Sequence, residues 1–316
     1  MKSNRQMEHY VAPLEDTPLL ATDALKEDQA PLSLWQDAWR QLRKRPLFIV
    51  AALLITLIVI VALFPGLFTQ TAPDNNCQLA DSQGGPRAGH PLGFTFQGCD
   101  VYARVIYGTR ASVMVGVFSV ICVLIIGVTL GALAGFFGGW VDVIIARLGD
   151  IFFALPIVLG ALVVTQLPFF RDNKSVWTVI IVILLLGWPS MARITRAAVI
   201  EVRGADFITA ARSLGVSNIQ TLIRHVLPNA LAPIIVLATM ELGVFIVLEA
   251  TLSFLGIGLP GSIMSWGNDI AAAQQQIRTN PSVLFYPAAA LTLTVLSFIM
   301  LGDALRDALD PKSRQR

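Results

Sequence analysis

Residues 47–68 run for 22 positions without a charged side chain. Wound as a helix they extend roughly 33 Å, and the hydrocarbon core of a bilayer is about 30 Å thick, so the segment reads as a membrane span. A cleaved leader fits poorly, because the run is too long and begins only after 46 residues. Further apolar segments follow it. Residues 111–141, 151–170, 176–192 and 281–302 carry no charge, and residues 230–258 carry only Glu241 and Glu249. The expected fold is an all-α polytopic membrane protein with six transmembrane helices. Composition agrees: 55% of the residues are hydrophobic and 14% charged, which leaves a soluble domain too little polar surface. A net charge of +2 is too small to point to nucleic acid.

Lys and Arg are shared unevenly between the connecting segments. With the N-terminus inside and the spans alternating, 17 of the 23 basic residues fall on the inner side and 6 on the outer. That asymmetry puts both termini in the cytoplasm.

Residues 1–33 are acidic and interrupted by Pro13, Pro18 and Pro31, the pattern of a disordered tail. Across residues 34–46, Leu34, Trp35, Ala38, Trp39 and Leu42 recur at helical spacing before a basic cluster. This is the pattern of an amphipathic helix lying on the lipid bilayer, an elbow before the first span. Residues 69–110 form a polar extracytoplasmic loop that holds Cys77 and Cys99. A disulfide can persist on that side, but spacing alone leaves their bonding open. Cys122 lies in an apolar run and reads as a small buried hydrophobe. His9, His90 and His225 are scattered, so no metal site is expected. There is no phosphate-cradling GxxxxGK[ST] loop and no Ser, His and Asp set on the outer side, which argues against an enzyme.

Three features inside residues 111–310 invite a role. The polar stretch 199–228 contains two apolar stripes at helical spacing: Ile208, Ala211 and Leu214, then Ile219, Leu222, Ile223 and Val226. They imply two short amphipathic helices jointed at Gly215, with Ser217 or Asn218 as cap and Pro228 near the second helix's end. Such stripes either pack on the protein's own core or dock a cytoplasmic partner. Glu241 and Glu249 lie eight residues apart in one span, on one broad face, and either bond within the bundle or line a translocation path. Gly127, Gly131 and Gly135 strip one helix face of side chains, so that another helix can approach closely. In the last outer loop, Trp266 suits a membrane-interface position.

The stretch 199–228 resembles the cytoplasmic loop of ATP-binding-cassette (ABC) importer permeases. Thr209, Ala210, Ala211, Gly215, His225, Leu227 and Pro228 stand at that family's motif positions, with Thr209 in place of a Glu and His225 in place of an Ile. The dipeptide, oligopeptide and nickel branch is similar at Leu92-Gly93, Gly98, Asp100-Val101, Tyr107-Gly108 and Arg110, at residues 224–236 and 248–260, and at Ser265-Trp266-Gly267. Cys99 replaces an Arg of that pattern. The likeness covers roughly residues 35–310 and is strongest to the shorter, second permease type.

The resemblance implies a peptide-importing permease that forms a path with a homologous permease. Two ATPase subunits would dock at the coupling loops, here through Thr209, Ala210, Ala211, Leu214, Gly215, Ile219, Leu222, Ile223, His225, Leu227 and Pro228, and an extracytoplasmic peptide-binding protein would deliver cargo. ATP and Mg would sit on the ATPase chains, with no cofactor on this one. Import of nickel chelates or haem, and an ion-gradient-driven secondary transporter, are the alternatives.

Overall fold

The computed structural model describes residues 34–74 and 77–309. The acidic tail, residues 1–33, and the side chains of Leu34 and Trp35 lie outside the described set. The N-terminal elbow is α1 (Leu34–Leu42). Its Ala38 and Leu42 are buried against Ala304 and Ala308 near the chain's end, and Arg45 meets Asp307 at 2.6 Å. Helix α2 (Pro46–Leu63) starts with Pro46, where a missing backbone N–H costs nothing.

Helix α3 (Val101–Phe137) begins ten residues before the uncharged run does. Residues 101–110 were expected in the loop because Arg104 and Arg110 are charged. Tertiary partners accept both charges. Arg104 Nε donates to Asp269 at 2.8 Å, and Arg110 donates to the carbonyls of Ala62 and Leu63, each at 3.0 Å. Those carbonyls are orphans at the end of α2, so Arg110 serves as their cap. Asp100 starts α3 by accepting from the N–H of Tyr102 at 3.1 Å.

Gly138 and Gly139, at φ 65° and 54°, reverse the chain into α4 (Gly139–Phe153). The expected third span, 151–170, is not a straight helix. Helix α4 ends inside it, α5 (Ile157–Gln166) leaves at 90°, and α6 (Pro168–Asp172) follows. Pro156 and Pro168 explain the breaks, since each disfavours helix in the residue before it and lacks an N–H.

Helix α7 (Val176–Arg203) opens with a reciprocal Ser175–Thr178 cap. Then come α8 (Asp206–Ser213), α9 (Asn218–Thr221), a π-helical segment Leu222–Val226 and α10 (Leu227–Phe254). The second amphipathic stretch does not end near Pro228. The wider π turn carries the chain past the proline, and the helix continues into the next span. Helices α11 (Trp266–Ala273) and α12 (Ser282–Leu309) complete the fold. Five of these helices are long and apolar enough to cross a membrane, and six if α4 and α5 form one broken span. The chain is an all-α multi-pass membrane protein.

The core lies between α3, α7 and α10, where Val115, Val123, Ile180, Ile183, Met191, Phe245 and Leu252 are buried. The α3–α7 seam is set by the glycine stripe. A Cβ on Gly127 would lie 2.6 Å from Met191 Cβ, one on Gly131 2.3 Å from the Ala192 carbonyl oxygen, and one on Gly135 2.8 Å from the Arg196 carbonyl oxygen. The helices touch backbone to backbone. At one end of the bundle, the Cys77–Cys99 disulfide ties the loop to the start of α3. Gly98 is held at φ 73° beneath the Gln78 carbonyl, where no side chain fits.

Gly131→Ala forces α3 from α7, an overpacking change expected to cost about 1–3 kcal/mol. A lower unfolding temperature of the detergent-purified variant checks it; unchanged stability would contradict the seam.

Candidate functional site

The end of the bundle away from the disulfide carries the motif residues. Helix α7 gives way at Gly204 to α8, and Gly215 then takes φ 82° with open space where a Cβ would be. This left-handed turn brings the Val216 N–H to the Ala211 carbonyl at 3.2 Å. Ser217 caps the next helix through the N–H of Gln220 at 3.4 Å.

The apolar side chains of residues 206–228, the cytoplasmic-motif elbow formed by α8, the Gly215 turn, α9 and the π-helical segment, divide into two layers. Ile208, Leu222 and Val226 are buried against Ala132, Phe136, Ala198, Val199 and Ala230. Two further contacts hold Phe136: the Arg212 guanidinium lies 5.0 Å from its ring, and Arg203 donates to its carbonyl at 2.9 Å. The second layer faces out. Leu214 is 85% exposed, Ile219 64% and Ile223 57%. Thr209, Ala210, Gly215 and Pro228 are exposed beside them, and Ala211, His225 and Leu227 are half-buried. Leu222, expected on the docking surface, belongs to the protein's own core. Sequence reasoning missed Phe207, which is 48% exposed on the same helix as Ile208. It also missed Phe136, the anchor, which lies in an uninterrupted apolar run that gives no local signal.

The two intramembrane carboxylates have different surroundings. Glu249 is fully buried, accepting from Ser112 Oγ at 3.0 Å and from Ser253 Oγ at 2.8 Å. Those hydroxyls accept in turn from the N–H groups of Trp266, at 3.2 Å, and Leu259, at 3.1 Å. Glu249 therefore ties α3 and α10 to the segment leading into α11. Glu241 is 7% exposed, and its Oε2 has no hydrogen-bond partner among the described residues. Trp266 is not at a membrane interface: it is 1% exposed, and its indole N–H donates to the Val105 carbonyl at 3.0 Å. Beside it, burial pushes the Asp269 carboxyl above its ordinary pKa, and the Arg104 guanidinium opposes that rise.

This arrangement supplies a held elbow with an apolar outer ridge and, among the described residues, no reactive constellation. Residues 127–315 match the binding-protein-dependent transport system inner membrane component family. The chain belongs to that family of permeases. Residues 33–84 also match the N-terminal transmembrane domain of oligopeptide transport permease C. The dipeptide permease DppC of Alkalihalophilus pseudofirmus is 38% identical, with 91% of this chain and 93% of DppC covered. The oligopeptide permease OppC of Bacillus subtilis is 35% identical over 93% of this chain and 95% of its own. The glutathione permease GsiD of Pectobacterium atrosepticum is 34% identical over 93% and 96%. A structure of the MetNI methionine ABC transporter, inward facing, shares the fold at TM-score 0.53 and 21% identity, over 66% of this chain and 96% of that one.

As a permease subunit the chain is a transport component of the inner membrane rather than an enzyme. The two layers of its elbow differ in burial, so substitutions in them differ in cost. Leu222→Asp places an unpaired carboxylate in the core and is expected to destabilise the permease by about 3 kcal/mol or more. Ile219→Asp, on the outer layer, is expected to stay within about 0.5 kcal/mol. Thermal unfolding of both purified variants checks the contrast, and equal losses would merge the layers.

Proposed function

We propose that this permease is one transmembrane subunit of an ATP-driven peptide importer, with both termini and the 206–228 elbow in the cytoplasm. The observation that carries the reading is the exposed ridge of Leu214, Ile219 and Ile223, seated on a buried anchor. An ATPase subunit docks on the ridge. Thr209 offers no charge to that contact, so apolar burial supplies its strength. Transport systems for dipeptides, oligopeptides and glutathione among the relatives support short peptides as cargo.

A homologous permease forms the other wall of the path, a second ATPase serves that wall, and a peptide-binding protein approaches the disulfide-tied end. Closure of the ATPases on ATP and Mg pushes the ridge. Because Ile208, Leu222 and Val226 bind the ridge to α3 and α7, the push moves the bundle rather than bending a loop. The 90° break between α4 and α5 also suits an ion-gradient transporter, which uses broken helices. Membership of a binding-protein-dependent family favours ATP.

The test is co-purification in mild detergent. The unmodified chain is expected to bring down a homologous permease and P-loop ATPases. Ile219→Asp with Ile223→Asp is expected to release the ATPases and cut peptide uptake at least about tenfold, with the chain still in the membrane. Retained ATPases and normal uptake would remove the docking role. Leu214→Cys is expected to react with an impermeant maleimide only from the cytoplasmic face; labelling from outside would invert the orientation.

A further inference from the structure

A cavity of about 250 Å³ opens at the disulfide-tied end, between residues 95–97, the start of α3, the α11 segment and the start of α12. Nothing in the coupling mechanism uses it. Two of its lining side chains are more than nine-tenths buried and polar: Asp269, 7% exposed, and Gln276, 5% exposed. Each presents an acceptor oxygen, Asp269 Oδ2 and Gln276 Oε1, that has no hydrogen-bond partner among the described residues.

The Arg104–Asp269 pair explains how one oxygen stays free. An Arg fork usually meets a carboxylate with one N–H on each oxygen. Here Arg104 Nε and Nη2 both converge on Oδ1, so Oδ2 is left without a donor. A buried acceptor without a donor is costly, and two in one cavity call for a group that brings several N–H bonds. The rest of the wall mixes the polar side chains of Thr95, Gln97 and Gln275 with apolar ones, including Val101, Val105, Ala273 and Val283. The cavity holds the volume of about eight waters, which suits a small organic ion.

We propose that this cavity is a primary-ammonium site that takes the amino terminus of a short peptide, its N–H bonds directed to Asp269 Oδ2 and Gln276 Oε1 and its first side chain to the Val101–Val105 wall. The peptide as ligand rests on the importer reading given above. The ammonium chemistry rests on the two free acceptors. The site is separate from the binding protein's own pocket and gives the permease a direct hold on the leading end of its cargo.

The test uses the full-length permease co-purified with its partner chains, without the binding protein, in nanodiscs whose lipid, phosphatidylcholine, carries no primary amine. Radiolabelled dialanine is expected to bind saturably. N-acetyl-dialanine, which lacks the ammonium, is expected to bind at least about tenfold more weakly, and Gln276→Met to weaken dialanine by about fivefold or more. Gln276→Met keeps the volume and leaves the Arg104–Asp269 pair intact, so it separates recognition from folding. Equal binding of the acetylated peptide, unchanged affinity in Gln276→Met, or no saturable dialanine binding would each overturn the site. Uptake by the complete importer separates this from the wider reading. Peptide uptake without the ammonium site removes the site alone. An importer that moves no peptide removes the cargo reading, while ammonium-dependent binding by the permease would still establish the site.

Discussion

The backbone contact between α3 and α7 is the constraint on which the rest depends. It exists because Gly127, Gly131 and Gly135 recur at helical spacing, so that a Cβ at Gly131 would sit 2.3 Å from the Ala192 carbonyl. Neither helix is replaceable in this role. Helix α3 carries Phe136 at one end and Ser112 and Arg104 nearer the other, and α7 carries Val199 beside Phe136. If the seam opened, the elbow would lose its anchor. The hydrogen bonds of Ser112 to Glu249 and Trp266, which bind α10 and α11, would lose their fixed origin.

Four arginines within or beside the apolar helices follow one rule: each lies where a partner can reach it. Arg196 pairs with Asp142 across α7 and α4, one of its two contacts measuring 2.7 Å. Arg193 lies 3.6 Å from Asp150 and 4.1 Å from the ring of Phe153. Arg110 caps α2, and Arg104 holds α11. Intramembrane charge is expensive in isolation, and these pairings let the helices run past the ends of their apolar runs.

That rule also explains what could be read from the sequence. Apolar length does not depend on tertiary contacts, so five to six candidate spans and the short helix before α2 were legible. Helix ends were not. Residues 101–110 looked like loop because Arg104 and Arg110 are charged, and only distant residues, Asp269 and the end of α2, make them helical. The break inside 151–170 was visible as Pro156 and Pro168, but continuous hydrophobicity outweighed it. At the elbow, periodicity found the apolar stripes and could not separate Leu222 from Ile219. The layer each joins is decided by Phe136, far off in sequence.

Helix α3 has 37 residues and extends about 55 Å, beyond the roughly 40–45 Å of a whole bilayer. It therefore reaches from the elbow to the disulfide-tied cap as one unbroken rod. The run from Asn218 to Phe254 is equally long, ending near Glu249, whose hydrogen bonds return to α3. Two rods joined near both ends move together. The third span differs: Gly138–Gly139 uncouples it from α3, and the 90° bend before α5 divides it again. On the proposed reading, a push at Leu214 and Ile219 would pass along α3 and α10 to the segment carrying Trp266 and Asp269, while α4 would follow through its side-chain ties to α7 and α5 through the bend. Rigid struts beside a jointed span are what a bundle needs if its two ends are to open in turn. In this chain that division is produced by where glycine and proline fall: glycine within α3 closes a seam, glycine after it makes a hinge, and proline breaks only the span that the elbow does not grip.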